Sequence, residues 1–222
     1  MSTARDQPSL DRCIQAKAVD AAGPLGQDSL WSTIARWIRP GDLVLADQGT
    51  SFYGMGAHRL PGDVLFIGQP LWASIGYTLP ALLGAALGQP SRRPILLIGD
   101  GAAQLTIAEL GTLVRNKIPA VVIIVDNNGY TVERAINGPD AAYNDIARWD
   151  WTALARAMGV RTAVHVHAIL ELASALDTAR SDDSGVTVIQ ATVPQDDVPP
   201  LLTAIAQAAS AANAGRDDSP KR

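Results

Sequence analysis

The sequence predicts a doubly wound α/β domain, a mostly parallel sheet with helices on both faces. Three observations lead there. Apolar runs of about five residues, such as Ile95–Ile98, Val121–Val125 and Val186–Ala191, recur along the chain. Continuous rather than alternating apolar character marks strands buried on both faces. Segments with helical spacing separate these runs, and strands alternating with helices imply parallel crossovers. The 222 residues, 47% hydrophobic and 18% charged, supply enough apolar surface for one sizeable core.

Residues 1–27 contain Pro8, Gly23, Pro24 and Gly26 without sustained periodicity and read as a leader or linker. Asp28 is the expected cap of a first helix, in which Leu30, Trp31, Ile34, Trp37 and Ile38 recur before Pro40-Gly41 stops it. A buried strand Leu43–Ala46, a glycine-rich loop (Gly49, Gly54, Gly56), a strand Val64–Ile67 and a helix Ile75–Leu87 follow. Next come the strand Ile95–Ile98, a helix around Thr106–Asn116, and Val121–Val125, the strongest strand in the chain. An irregular stretch leads to a helix Trp151–Met158, a strand Val160–Val166, a helix Ala168–Ala179, the strand Val186–Ala191 and a terminal helix from Pro199 to about Ala212. The domain is thus expected to span 28–212, with 213–222 a polar, disordered tail.

Composition excludes several classes. Lys+Arg 18 against Asp+Glu 22 gives a net charge of −4, and no basic stripe is present to neutralise a nucleic-acid backbone. No apolar run approaches the roughly 18 residues a membrane span needs, so neither nucleic acid nor membrane is an expected partner. The one cysteine, Cys13, builds no intramolecular disulfide or zinc cluster, which fits a reducing, cytoplasmic setting. Neither GxxxxGK[ST] nor GxGxxG occurs.

In open α/β sheets, ligands bind at the carboxyl ends of strands. After Ile98 the chain reads Gly99-Asp100-Gly101-Ala102-Ala103-Gln104, and after Val125 it reads Asp126-Asn127-Asn128-Gly129-Tyr130-Thr131. One helix separates them, so a right-handed crossover sets the Asp100 carboxylate and the Asn127 amide oxygen on one rim. Glycines beside Asp100 let backbone N–H groups approach a phosphate. An all-oxygen set from Asp100, Asn127 and the Gly129 carbonyl suits Mg²⁺. A tight turn would explain Gly-Asp-Gly alone; the pairing with Asn127 outweighs that reading.

These residues also carry a resemblance. Gly99-Asp100-Gly101 followed by Asn127, 27 positions beyond Asp100, matches the thiamine-diphosphate signature. Together with Gln48-Gly49-Thr50-Ser51-Phe52, IGQPLWASIGYTLPA (67–81), DGAAQLTIAELG (100–111), NGYTVERAINGP (128–139) and YNDIARWDW (143–151), it resembles the cofactor-binding domain of thiamine-diphosphate-dependent 2-oxo acid decarboxylases. Those acting on indolepyruvate, phenylpyruvate and branched-chain keto acids are the nearest in kind. The resemblance covers about Pro24–Ala214 and implies the thiamine-diphosphate-binding fold.

It implies further that Asp100, Asn127 and the Gly129 carbonyl hold Mg²⁺, and that Gly99 and the Gly101-Ala102 turn hold the diphosphate. Ile75 props the cofactor in its bent shape, which brings its reacting atoms together. Ala73 offers a carbonyl to the aminopyrimidine, Thr50 lies near the same ring, and Tyr130-Thr131-Val132 complete the binding set. Glu133 matches the acid that handles protons during the reaction. By residue type alone Glu133 is a solvated loop carboxylate, and only the motif gives it a role.

Such enzymes also use a pyrimidine-binding domain whose glutamate activates the cofactor. The three glutamates here, Glu109, Glu133 and Glu171, all fall in the diphosphate-binding domain. The expectation is therefore one part of a decarboxylase that turns a 2-oxo acid into an aldehyde and carbon dioxide, works with a separate pyrimidine-binding chain and forms an oligomer. The alternative is a truncated, non-catalytic cofactor-binding module or remnant. Aromatic or branched 2-oxo acids are favoured over pyruvate only through IGQPLWASIGYT and VERAING. Two departures stand out: Asp47 where relatives usually show glutamate, and Asn137 where a histidine is typical. His165 and His167 are expected on a solvent-facing strand edge rather than as a metal pair, Trp149 and Trp151 in the core, and His58 in the glycine-rich loop without a role.

Overall fold

The computed structural model describes residues 23–217; the expectations for Cys13, the rest of 1–22 and residues 218–222 lie outside them. All-parallel strands β1 (Leu43–Ala46), β2 (Leu65–Ile67), β3 (Pro94–Gly99), β4 (Val121–Asp126), β5 (Thr162–Val166) and β6 (Thr187–Thr192) form one sheet in the order β2-β1-β3-β4-β6-β5. Their apolar residues alternate between two cores. Val44, Ala46, Ile95, Leu97, Ile123 and Ile189 pack on one face against α1 (Gln27–Trp37), α2 (Thr50–Gly56) and α8 (Ile169–Ser181). Leu43, Leu45, Leu96, Ile98, Val122 and Val188 pack on the other against α3 (Thr78–Gly88), α4 (Asp100–Thr106), α5 (Glu109–Arg115) and α7 (Trp151–Ala157). This is the doubly wound architecture that continuous apolar strands require. No helix among the described residues is long and apolar enough to cross a membrane.

Strand order fixes the site. The chain leaves β1 toward β2 on one side and returns to β3 on the other, so the loops after β1 and β3 diverge and open a crevice between them. Gly99 pairs with Val125 across β3 and β4, which brings Asp100 and Asn127 to the same end of adjacent strands.

Several boundaries differ from the sequence expectations. Gly26, not Asp28, precedes the first turn of α1, and packing begins earlier still: Leu25 is buried, and its N–H donates to the His167 carbonyl. The glycine-rich stretch is not a loop but α2. Gly54 is there because a Cβ would lie 2.0 Å from the Trp31 ring nitrogen; contact with α1 overrides the weak helix propensity of glycine. The helix expected from Ile75 starts only at Thr78, after a turn at Gly76 (φ +78°). The stretch read as irregular contains α6 (Thr131–Asn137), and the terminal helix α9 (Pro200–Asp217) runs past Ala212. Trp151 is buried at 2% exposure, whereas Trp149 is 39% exposed and stacks on it from outside, so the core expectation fails for Trp149. His165 and His167 are exposed at edge strand β5, and His165 Nε2 lies 2.7 Å from the Thr192 hydroxyl.

Arg180 of α8 makes a two-pronged pair with Asp42, 2.8 Å at each prong, while its guanidinium stacks on Trp37 at 4.1 Å. Asp42 is 3% exposed. Arg180→Met should cost about 3–5 kcal/mol, because it strands a buried carboxylate. Urea denaturation checks this; a loss below about 1 kcal/mol would make the pair an ordinary surface contact.

Candidate functional site

A cleft of about 450 Å³ opens at the carboxyl ends of β1, β3 and β4. Its walls come from three segments. The β1–α2 turn gives Gln48–Ser51, the β3–α4 turn gives Gly99–Ala102, and the β4–α6 segment gives Asn127 and Gly129–Glu133. Ala73 and Ile75 reach in from the segment before α3, and Tyr143 closes one side. The structure brings all thirteen residues singled out from the sequence to this one cleft: Thr50, Ala73, Ile75, Gly99, Asp100, Gly101, Ala102, Asn127, Gly129, Tyr130, Thr131, Val132 and Glu133. It adds Gln48, Gly49, Ser51 and Tyr143, which stood inside the quoted motifs without an assigned role. His58 does not line it; the residue sits half-buried after α2, where desolvation lowers its pKa.

Asp100, 2% exposed, is the electrostatic centre. Its Oδ1 accepts the Gly101 N–H at 2.8 Å and its Oδ2 the Gly129 N–H at 3.0 Å. Burial nevertheless pushes its carboxyl up to about 7, despite those two N–H groups, with the nearby Asp126 charge adding to the rise. No cationic side chain pairs with it among the described residues. Asn127 supplies the matching piece. With its amide orientation assigned from the hydrogen-bonding partners, the nitrogen donates to Asp100 Oδ1 at 3.1 Å and to the Gly129 carbonyl at 3.0 Å. Its oxygen lies 3.0 Å from the Thr131 hydroxyl. That hydroxyl also lies 2.8 Å from the Gln195 carbonyl, and donates to one of the two at a time.

The Asp100 carboxylate and the Gly129 carbonyl therefore meet at the Asn127 amide, each within about 3 Å of its nitrogen. Turning the Asn127 amide about its last bond would present three oxygens there, a hard set suited to Mg²⁺. A buried carboxylate without a cation and a carbonyl aimed at the same point fit such an ion. On the floor of the cleft Gly101 packs directly under the Tyr130 ring, and a Cβ there would come within 2.4 Å of it, so the turn needs glycine at this position.

The loop carrying Asn127 and Gly129 is held from behind by α6 and the turn at Ala142–Asn144. Gly129 adopts φ +114°, and a Cβ there would lie 2.2 Å from the Asn144 carbonyl, so only glycine fits. That carbonyl also accepts the Tyr130 N–H at 2.9 Å. Arg134, buried on α6, donates to the Asn128 and Asn144 carbonyls and to Asp145 at 2.7 Å. Glu133, one residue earlier and on the cleft side, accepts a hydrogen bond of 2.5 Å from the Asn137 amide one turn on.

Comparisons with known proteins identify the family of the domain. A family model described as "Thiamine pyrophosphate enzyme, C-terminal TPP binding domain" matches residues 49–191. The chain is 55% identical over 181 residues to an alpha-keto-acid decarboxylase of Mycobacterium ulcerans, covering 81% of this chain and 32% of that protein. It is 50% identical over 201 residues to one of Mycolicibacterium paratuberculosis, covering 90% and 35%. Among solved structures it is similar to the Rhodococcus jostii RHA1 thiamine diphosphate-dependent 4-hydroxybenzoylformate decarboxylase. There the TM-score is 0.68 at 28% identity, covering 82% of this chain and 35% of that one. The chain thus spans about a third of the length of these relatives.

Proposed function

The chain belongs to the thiamine pyrophosphate enzyme family, as its C-terminal TPP-binding domain, and on that premise we propose that it holds Mg²⁺ and the diphosphate of thiamine diphosphate in a non-oxidative 2-oxo acid decarboxylase. The rest of the cofactor site, including the pyrimidine-binding domain, comes from outside these 222 residues. The observation that carries the reading is the Asn127 amide group within 3.1 Å of Asp100 Oδ1 and 3.0 Å of the Gly129 carbonyl, with the Gly129 N–H 3.0 Å from Asp100 Oδ2, inside the cleft.

When bound, thiamine diphosphate supplies a nucleophilic carbon for the 2-oxo group and an electron sink for the departing carbon dioxide. The work of this chain is to bind, orient and move protons. Asp100, Asn127 and the Gly129 carbonyl would hold the cation, and the Gly101 and Ala102 backbone would hold the diphosphate. Ile75 and Ala73 line the cleft, where Ile75 would prop the cofactor in its bent shape and the Ala73 carbonyl would serve its aminopyrimidine, an effect that acts through proximity. Glu133 lies on the cleft wall, where one of its oxygens accepts from the Asn137 amide, and its carboxyl group would give or take a proton when the cofactor is bound.

In an enzyme reconstituted with a pyrimidine-binding domain, Glu133→Gln should lower turnover by about 10² or more and leave cofactor affinity nearly unchanged. Equal turnover of the two proteins would reduce Glu133 to a carboxylate of the cleft wall without a part in the chemistry.

A further inference from the structure

Asp47 follows β1 directly, and its carboxylate turns into the protein at 1% exposure. Among the described residues no cation pairs with it. Three donors from a single turn meet it instead. Gly76 N–H reaches Oδ1 at 3.1 Å, while the Thr78 N–H and hydroxyl reach Oδ2 at 3.3 and 2.6 Å. Burial holds its carboxyl above the ordinary range in spite of these donors. The anchor itself is fixed to the sheet and to α2: the Asp47 N–H donates to the Leu97 carbonyl at 2.8 Å, and its carbonyl accepts the Phe52 N–H at 3.1 Å.

The other side of the turn is equally constrained. The Gly76 carbonyl accepts the Thr106 hydroxyl at 2.8 Å, and a Cβ at Gly76 would lie 3.0 Å from the Ala102 carbonyl. Just upstream the chain stands away from the protein, with Leu71 at 96% and Trp72 at 83% exposure. Asp47 therefore gathers the chain back where it re-enters the fold, and the residue at the re-entry is Ile75. Ile75 and Ala73 line the cleft, whereas Asp47 does not.

We propose that Asp47 is a positioning residue for cofactor binding: by collecting the Gly76 and Thr78 donors it sets Ile75 and Ala73 against the thiamine half of the cofactor, leaving the diphosphate half to the Asp100 end. The inference rests on the reading under Proposed function. Its chemistry is specific to a carboxylate. An amide of the same size offers one acceptor atom, so Asp47→Asn must turn an NH₂ toward at least one N–H donor in a buried site. Asp47→Glu keeps an all-acceptor head.

The full chain would be titrated with thiamine diphosphate and, separately, with inorganic pyrophosphate, both with Mg²⁺. Amide exchange of the ligand-free protein would be followed at Gly76 and Thr78. Asp47→Asn is expected to weaken thiamine diphosphate by about tenfold, to change pyrophosphate by less than about twofold, and to speed exchange at both amides by about tenfold. Asp47→Glu should restore thiamine diphosphate affinity to within about threefold of the parent. Unchanged thiamine diphosphate affinity in Asp47→Asn overturns the proposal, and so does an equal fall for both ligands, which would mean general loss of structure. Failure of the parent chain to bind thiamine diphosphate at all would instead bring down the functional reading, and this inference with it.

Discussion

Asp100→Ala is expected to abolish Mg²⁺-dependent binding of thiamine diphosphate, with a loss of affinity of at least about 10². Asp100 is the one carboxylate of the proposed cation site, so on that reading its removal takes away the charge that would draw the cation and one of three proposed protein ligands. Loss of a group that merely supports a metal ligand already costs about 10- to 100-fold. Alanine also leaves the Gly101 and Gly129 N–H groups without their acceptor, and Asp100→Asn, which keeps the size without the charge, separates the two effects. It should show the same loss of cofactor with the fold intact by circular dichroism. Calorimetry with and without Mg²⁺ decides the matter. Unchanged affinity in the variants, or cofactor binding by the parent that ignores Mg²⁺, would sink the metal assignment.

The 222-residue chain alone should show negligible decarboxylase activity and acquire it when a pyrimidine-binding domain is supplied. Proton transfer by a positioned side chain is worth about 10² to 10⁴ in rate, and the proposed function assigns the group that activates the aminopyrimidine to the added domain. On the same reading, the gain from a closed, desolvated site would come only with the added domain. The assay follows aldehyde release from a panel of 2-oxo acids with Mg²⁺ and thiamine diphosphate, with and without the added domain. Robust turnover by the chain alone would refute the split site. Cofactor binding without turnover even in the presence of the domain would favour a binding module.

The site was more legible in the sequence than some of the elements that carry it. Asp100, Asn127 and Gly129 could be read because their spacing spans one strand–helix–strand unit, and parallel topology converts that spacing into adjacency at a known end of the sheet. The strands were visible as continuous apolar runs. α2 and α6 were not, because neither has a helical apolar stripe long enough to read. α2 contains two glycines, and its helix is imposed by contact with Trp31 rather than by local propensity. α6 is a seven-residue piece whose buried side includes Arg134, a residue that no hydrophobic pattern reports. Gln48 and Ser51 were inside a quoted motif, yet their place on the cleft wall depends on α2 beginning at Thr50. Trp149 and Trp151 differ by only two positions. Trp151 opens α7 and faces the sheet, while Trp149 precedes the helix and stays outside.

The backbone bridge between Pro24 and Ala168, with the Leu25 N–H on the His167 carbonyl, fastens the start of the described chain to the residues just after β5. Every strand of a parallel sheet ends on the same side, so this attachment point lies on the rim that carries the cleft. β6 and β4 stand between β5 and β3, a lateral offset of roughly 15 Å to the cleft at the usual strand spacing. For protein engineering this makes residue 24 a natural tether: a domain fused upstream of it is delivered to the open mouth of the cleft rather than to the back of the sheet. A linker of only a few residues would span the distance, since each extended residue covers about 3.5 Å.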